Sequence, residues 1–235
     1  MIRFRTVRLL ALGTLALTGC AAGGAAPAAT TPPPRAVAPL LSAGFPPAAE
    51  RARAQLAGLK VAWGERWRTY DRKKFGDGWS DATDAPGGRN GCDTRDDVLR
   101  RDLDELRVGD RNPCVVLSGV LHDPYTGKRL PYSYRKASRI QTDHVVALGA
   151  AWRAGAWAWT PQRRLAYAND LDVLLATDKD ANFDKSSKTP DKWLPPRAAY
   201  RCAYARRWTG IKTKYALSVS PPEKKALQTL LAGCR

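Results

Sequence analysis

Apolar positions along this chain come in three textures: helical spacing, short continuous runs, and gaps crowded with Gly, Asp and Pro. Residues 9–17 are a short apolar run behind Arg3, Arg5 and Arg8. A positive start before a stretch too short to span a bilayer predicts an export signal over residues 1–19. Residues 20–47 are rich in Ala, Pro, Gly and Thr, bury little, and predict an extended tether. Leu56 and Leu59 mark a helix over 47–61. Residues 70–91 read as loop. Residues 92–95 then open a helix that Asp93 or Thr94 can cap, with Val98, Leu99, Leu103 and Leu106 as its buried face. Short apolar, β-branched runs predict strands at 114–121, 130–134, 140–146 and 171–177, the first two joined by turn residues at 123–127. Helical composition returns at 147–157, 178–187 and 222–231. The pattern predicts one α+β domain over 48–235, its motif core at about 114–190.

Charge narrows the partners. Lys and Arg number 39 against 22 Asp and Glu, a net +17. Removing residues 1–19 takes three arginines and no acids, so 36 against 22 still leaves +14 on the remainder. A domain that basic predicts a polyanion as partner: nucleic acid, an anionic membrane surface or an acidic wall polymer. Arg135, Lys136, Arg139, Arg153, Lys188 and Arg197 can follow a phosphate backbone.

Five cysteines refine the compartment. Leu17-Thr18-Gly19-Cys20 resembles the lipobox of bacterial lipoproteins, which implies lipidation at Cys20 and a membrane anchor. The other four, Cys92, Cys114, Cys202 and Cys234, are an even set without CxxC spacing, so they predict two disulfides rather than a zinc site. Three pairings are possible. Cys92–Cys114 with Cys202–Cys234 is preferred, since each closes a modest loop between neighbours along the chain.

The chemistry-bearing residues are few. Of two histidines, His122 sits at a strand end beside a turn and reads as structural. His144 follows Asp143 at the end of an apolar strand, so the two side chains point to opposite sides of the backbone. Asn169 stands 25 residues later, directly before an apolar strand, and Asn182-Phe183-Asp184-Lys185 follows that strand. Taken singly, each is as easily a turn, a cap or a surface residue. Their joint order carries the signal.

That order resembles the HNH (ββα-metal, His-Me finger) nucleases. Residues 70–215 resemble exported endonucleases of that family, whose domain also stands at the C-terminus of GmrSD-type restriction enzymes. The matching pieces are Tyr70-Asp71-Arg72, Phe75-Gly76, the stretch from Asn90 to Arg95, that from Asp123 to Gly127, Asp143-His144-Val145-Val146, Ala168 to Leu171, Asn182 to Lys185, and Trp193 to Pro196. Ala147 departs from the pattern, where many relatives have Pro. The resemblance implies a small ββα-metal core with surrounding helices. It implies His144 as general base, its ordinary pKa of about 6.5 suited to neutral pH. Asp143 and Asn182 are implied as ligands of one divalent cation, Mg²⁺ by their oxygen chemistry. Asn169 is implied to orient His144, and Lys185, with Arg139 and Lys188, to meet nucleic acid.

The expected function is hydrolysis of phosphodiester bonds in nucleic acid, DNA foremost, outside the cytoplasm and with low sequence specificity. A basic lipoprotein that binds DNA or wall polymer without cleaving it is the alternative, but a binder needs neither His144 nor Asn182. A wall-glycan hydrolase wants paired carboxylates, and no convincing Glu pair is present.

Overall fold

The computed structural model describes residues 42–234, so the expected signal, Cys20 and most of the tether lie outside the described residues. The last tether residues are already part of the domain. The Ser42 amide donates to Asp172 at 2.9 Å, Phe45 packs against the core, and Arg206 donates to the Pro47 carbonyl.

Helix α1 (Ala49–Gly58) buries Ala52 and Leu56. One 3-10 turn, Trp67–Thr69, precedes the loop expected over 70–91, and a second, Arg72–Phe75, interrupts it. Helix α2 (Thr94–Asp102) is capped by the Asp93 side chain, as its sequence predicts. It is shorter than expected. Leu103 and Leu106 belong instead to strand β1 (Leu103–Val108), which lies antiparallel to β2 (Val116–His122). Leu103 is still buried, but Leu106 is exposed. The helical spacing misled because a three-residue gap also fits a strand that begins where the helix stops. Strand β3 (Arg129–Ser133) completes a three-stranded sheet in the order β1-β2-β3.

The second sheet is a hairpin of distant partners. Strand β4 (Ile140–His144) pairs antiparallel with β5 (Leu174–Asp178), His144 opposite Leu174 and Ile140 opposite Asp178. Helix α5 (Lys179–Lys185) follows at once, capped by Asp178. The connection carries α3 (Leu148–Arg153) and α4 (Pro161–Ala168). Helix α4, its first turn capped by Thr160 with Pro161 behind it, was not anticipated. Neither was α6 (Arg201–Lys214), whose length escaped notice because cationic and aromatic residues surround it on every side. Helix α7 (Pro221–Ala232) has a complete capping box between Ser220 and Glu223.

Strand β5 is buried along its whole length, which is why residues 171–176 read as a nearly continuous apolar run. Leu174 and Ala176 enter one core cluster with Val98, Leu99, Val116 and Ile140. Val173 and Leu175 enter the other, with Trp208, Tyr204 and the helices behind. The hairpin is therefore the middle layer of an α+β domain. Two guanidiniums fix its entrance. Arg101 from α2 and Arg207 from α6 both donate to the Leu171 and Leu174 carbonyls, at 2.6–2.9 Å. The disulfides pair Cys92 with Cys114 and Cys202 with Cys234, the preferred pairing.

Candidate active site

Period-two alternation on β4 sorts the site into two sides. Gln141 and Asp143 turn toward α5, where Asn182 donates its amide to Gln141 Oε1 at 2.7 Å and Lys185 reaches Asp143. Thr142 takes a hydrogen bond from Arg95, and His144 lies against Trp79. Asp143 and His144 thus diverge as their adjacency requires. Both still line a single cavity of about 390 Å³, with Gln141, Asn182, Arg72 and Trp79 among its walls.

His144 is 5% exposed. Its Nε2–H donates to the Ala168 carbonyl at 2.9 Å, which leaves Nδ1 as the unprotonated nitrogen of the neutral ring. Trp79 and Tyr167 lie nearly parallel to the imidazole, at 5.7 and 6.5 Å. Burial lowers the His144 pKa to about 3, and the positive charges of Arg72 and Lys185 add to the effect against the Ala168 bond. The ordinary value expected from sequence is thereby corrected: the ring is neutral throughout the neutral range.

Among the described residues Asn169 makes no hydrogen bond to the His144 side chain. It ends α4, donates to the Leu165 carbonyl, and accepts the Ser80 amide on Oδ1 at 2.8 Å. Its neighbours do the work on each side: Ala168 holds Nε2, and Trp79 covers the ring. Asn169 thus joins the end of α4 to the segment that carries Trp79.

Lys185 is the clearest correction. Expected at phosphate, it is fully buried, donating to Asp143 Oδ1 at 2.8 Å and to the His144 carbonyl at 3.0 Å. Its ammonium is spent on these two acceptors inside the protein, out of reach of a ligand in solvent. The other carboxylate oxygen of Asp143 accepts the Tyr125 hydroxyl at 2.6 Å. Burial raises the Asp143 pKa, and Lys185 and Tyr125 pull it back. Arg139 and Lys188 are exposed, Lys188 in an ion pair with Asp184 at 3.0 Å. Neither lines the His144 cavity.

The donor set suits a hard cation in kind. Asn182 commits its amide nitrogen to Gln141, leaving Oδ1 free, and each Asp143 oxygen retains a lone pair beyond its one protein donor. Among the described residues no cluster of three or more His, Cys, Asp or Glu could hold a metal. A cation here would therefore rest on few protein ligands.

Sequence reasoning missed Trp79, Gln141 and the role of Tyr125. Gln141 was within reach, because two residues before Asp143 on a strand is the same face. Tyr125 was noted only as part of a turn, and no local pattern ties Trp79 to His144. Arg95, named in the sequence only as the end of a matching stretch, braces β4 through Thr142 and the Ala137 and Ile140 carbonyls.

A family model described as GmrSD restriction endonucleases, C-terminal domain, matches residues 93–230. A protein of Arthroderma benhamiae named "Uncharacterized secreted protein" is 36% identical over 190 residues, covering 80% of this chain and 87% of that one. No solved structure matches the chain.

Proposed function

Because the chain belongs to the family of GmrSD restriction-endonuclease C-terminal domains, we propose that it is an HNH-type endonuclease. It hydrolyses phosphodiester bonds of nucleic acid, DNA foremost, with His144 as general base. The observation that carries this reading is the locked tautomer. The Ala168 carbonyl holds Nε2–H, so Nδ1 of a neutral ring is free to accept a proton at the cavity that Asp143 and Asn182 also line.

In the reaction, His144 takes a proton from water as the water oxygen bonds to phosphorus and the ester oxygen departs with its electron pair. Trp79 and Tyr167 keep the imidazole from rotating. Arg72, exposed at the cavity wall, meets the phosphate charge. Asp143 and Asn182 are the residues that would hold one divalent cation, Mg²⁺ by preference. When bound, it supplies charge stabilisation at the scissile phosphate and the leaving oxygen. Lys185 neutralises Asp143 and sets its orientation.

Export is part of the proposal, supported by the two disulfides and by the secreted relative. Lipid anchoring at Cys20 rests on the sequence of residues 17–20.

The test is plasmid and RNA cleavage by the purified protein, with Mg²⁺ or with EDTA. His144→Ala, folded by circular dichroism, should lose about 10²–10⁴-fold in rate, and EDTA should silence the wild type. Wild-type rates from a folded His144→Ala protein, or full activity in excess chelator, would overturn the assignment.

A further inference from the structure

A second cleft of about 510 Å³ adjoins the His144 cavity, the two sharing Ser186 and Ser187 as a common wall. Its chemistry differs from that of its neighbour. Trp63 and Trp67 line it, 69% and 50% exposed. Rings of that size left in water are unusual unless something covers them in use. Their backbone is fixed. The Ala62 amide donates to the Val219 carbonyl and the Glu65 amide to that of Arg153, both at 3.0 Å. Trp63 is thus held out on an anchored segment.

The two rings are not equivalent. Trp67 is already stacked on Tyr70 at 5.1 Å, with the Arg153 guanidinium 5.0 Å from its centroid. Among the described residues no aromatic or cationic side chain stacks on Trp63. It is the free platform. Around it the cleft carries Arg153, Lys188, Lys192 and Lys212 against Asp191 and Glu223, a balance of +2. Lys212 and Glu223 neutralise each other at 2.7 Å in the buried floor. At the exposed rim Lys188 is held by Asp184 in a solvated pair that a phosphate can replace, and Lys192 has no ion pair among the described residues.

We infer that this cleft binds unpaired nucleotides flanking the bond to be cut, a base stacking on Trp63 and its phosphates running along Lys188 and Lys192. The inference rests on the nuclease reading of the neighbouring cavity and deepens it by naming the substrate class, single-stranded nucleic acid or a single-stranded extension of a duplex. In a duplex the base faces are already stacked on one another, so none is open to an aromatic ring, and only phosphates, sugars and groove edges remain. A free ring beside a cationic rim has a partner only where bases are unstacked.

The experiment reads binding apart from cleavage. Fluorescein-labelled oligothymidylate and a duplex of equal length are titrated with purified protein in EDTA, by anisotropy. Trp63→Ala should weaken oligothymidylate binding about 5- to 100-fold and leave the duplex within twofold. Trp63→Phe should recover most of the loss. Equal oligothymidylate affinity for wild type and Trp63→Ala overturns the inference, as does a parallel loss for both ligands. Cleavage without any Trp63 effect leaves the nuclease standing and removes this subsite. Trp63-dependent binding by a protein that never cleaves supports the subsite and removes the nuclease.

Discussion

Replacing Lys185 by Met strips a buried carboxylate of its ion-pair partner while keeping most of the side-chain volume. In the wild type the Lys185 ammonium is 2.8 Å from Asp143 Oδ1, with both side chains at 5% exposure or less. In the variant Asp143 keeps one neutral donor, Tyr125. Removing one partner of a buried pair costs about 3–5 kcal/mol, most of it the penalty of the orphaned charge. Protonation relieves that penalty, which gives the effect a pH signature. Burial already raises the Asp143 pKa, and loss of Lys185 raises it further. An acid whose folded pKa is raised binds its proton better when folded, so the variant loses stability as pH climbs through the interval above about 3.8. Guanidinium unfolding at pH 8 should therefore show the full loss of Lys185→Met against wild type, and at pH 5 a smaller one, because protonation has begun to relieve the penalty. The double variant Lys185→Met/Asp143→Asn should regain most of the stability at pH 8. A single-variant loss under about 1 kcal/mol at pH 8, or a loss that does not shrink at pH 5, would refute the picture of a dry, neutralised carboxylate.

The His144 ring titrates with the opposite linkage. Its folded pKa is lowered to about 3, so the stability it contributes is complete above about 6.5 and is lost as pH falls toward 3, at most roughly 5 kcal/mol. The difference in unfolding free energy between wild type and His144→Asn should narrow by several kcal/mol from pH 7 to pH 4; parallel pH profiles would contradict it. Peptide mapping of the oxidised protein should recover Cys92 linked to Cys114 and Cys202 linked to Cys234. Replacing the first pair by Ser should cost roughly 3 kcal/mol, from the 22-residue separation it closes; an unchanged midpoint in denaturant would mean the bridge constrains little.

What could be read in advance follows from how local each signal is. Strand β5, the Asp93 cap and the order of Asp143, His144, Asn169 and Asn182 are written in short local stretches, and all could be read. The surroundings of Lys185 could not. Spacing put it one turn after Asn182, and helical geometry then allowed either water or core. Which one it faces is decided by Asp143, 42 residues away. Likewise β1 looked like the end of a helix, because pairing with β2 is not visible in six residues alone. The His144 pKa was misjudged for the same reason: an ordinary value holds for a solvated ring, and Trp79 and Tyr167 come from segments that flank the strand at a distance.

The hydrogen bond from the Ser80 amide to Asn169 spans 89 positions, and that from Ser42 to Asp172 spans 130. With Arg101 and Arg207 closing on the same two carbonyls from opposite halves of the chain, the imidazole acquires its fixed tautomer only after nearly every residue is in place. A chain in which residues 201–214 have yet to fold lacks α6, and with it half of that clasp on the hairpin that carries His144.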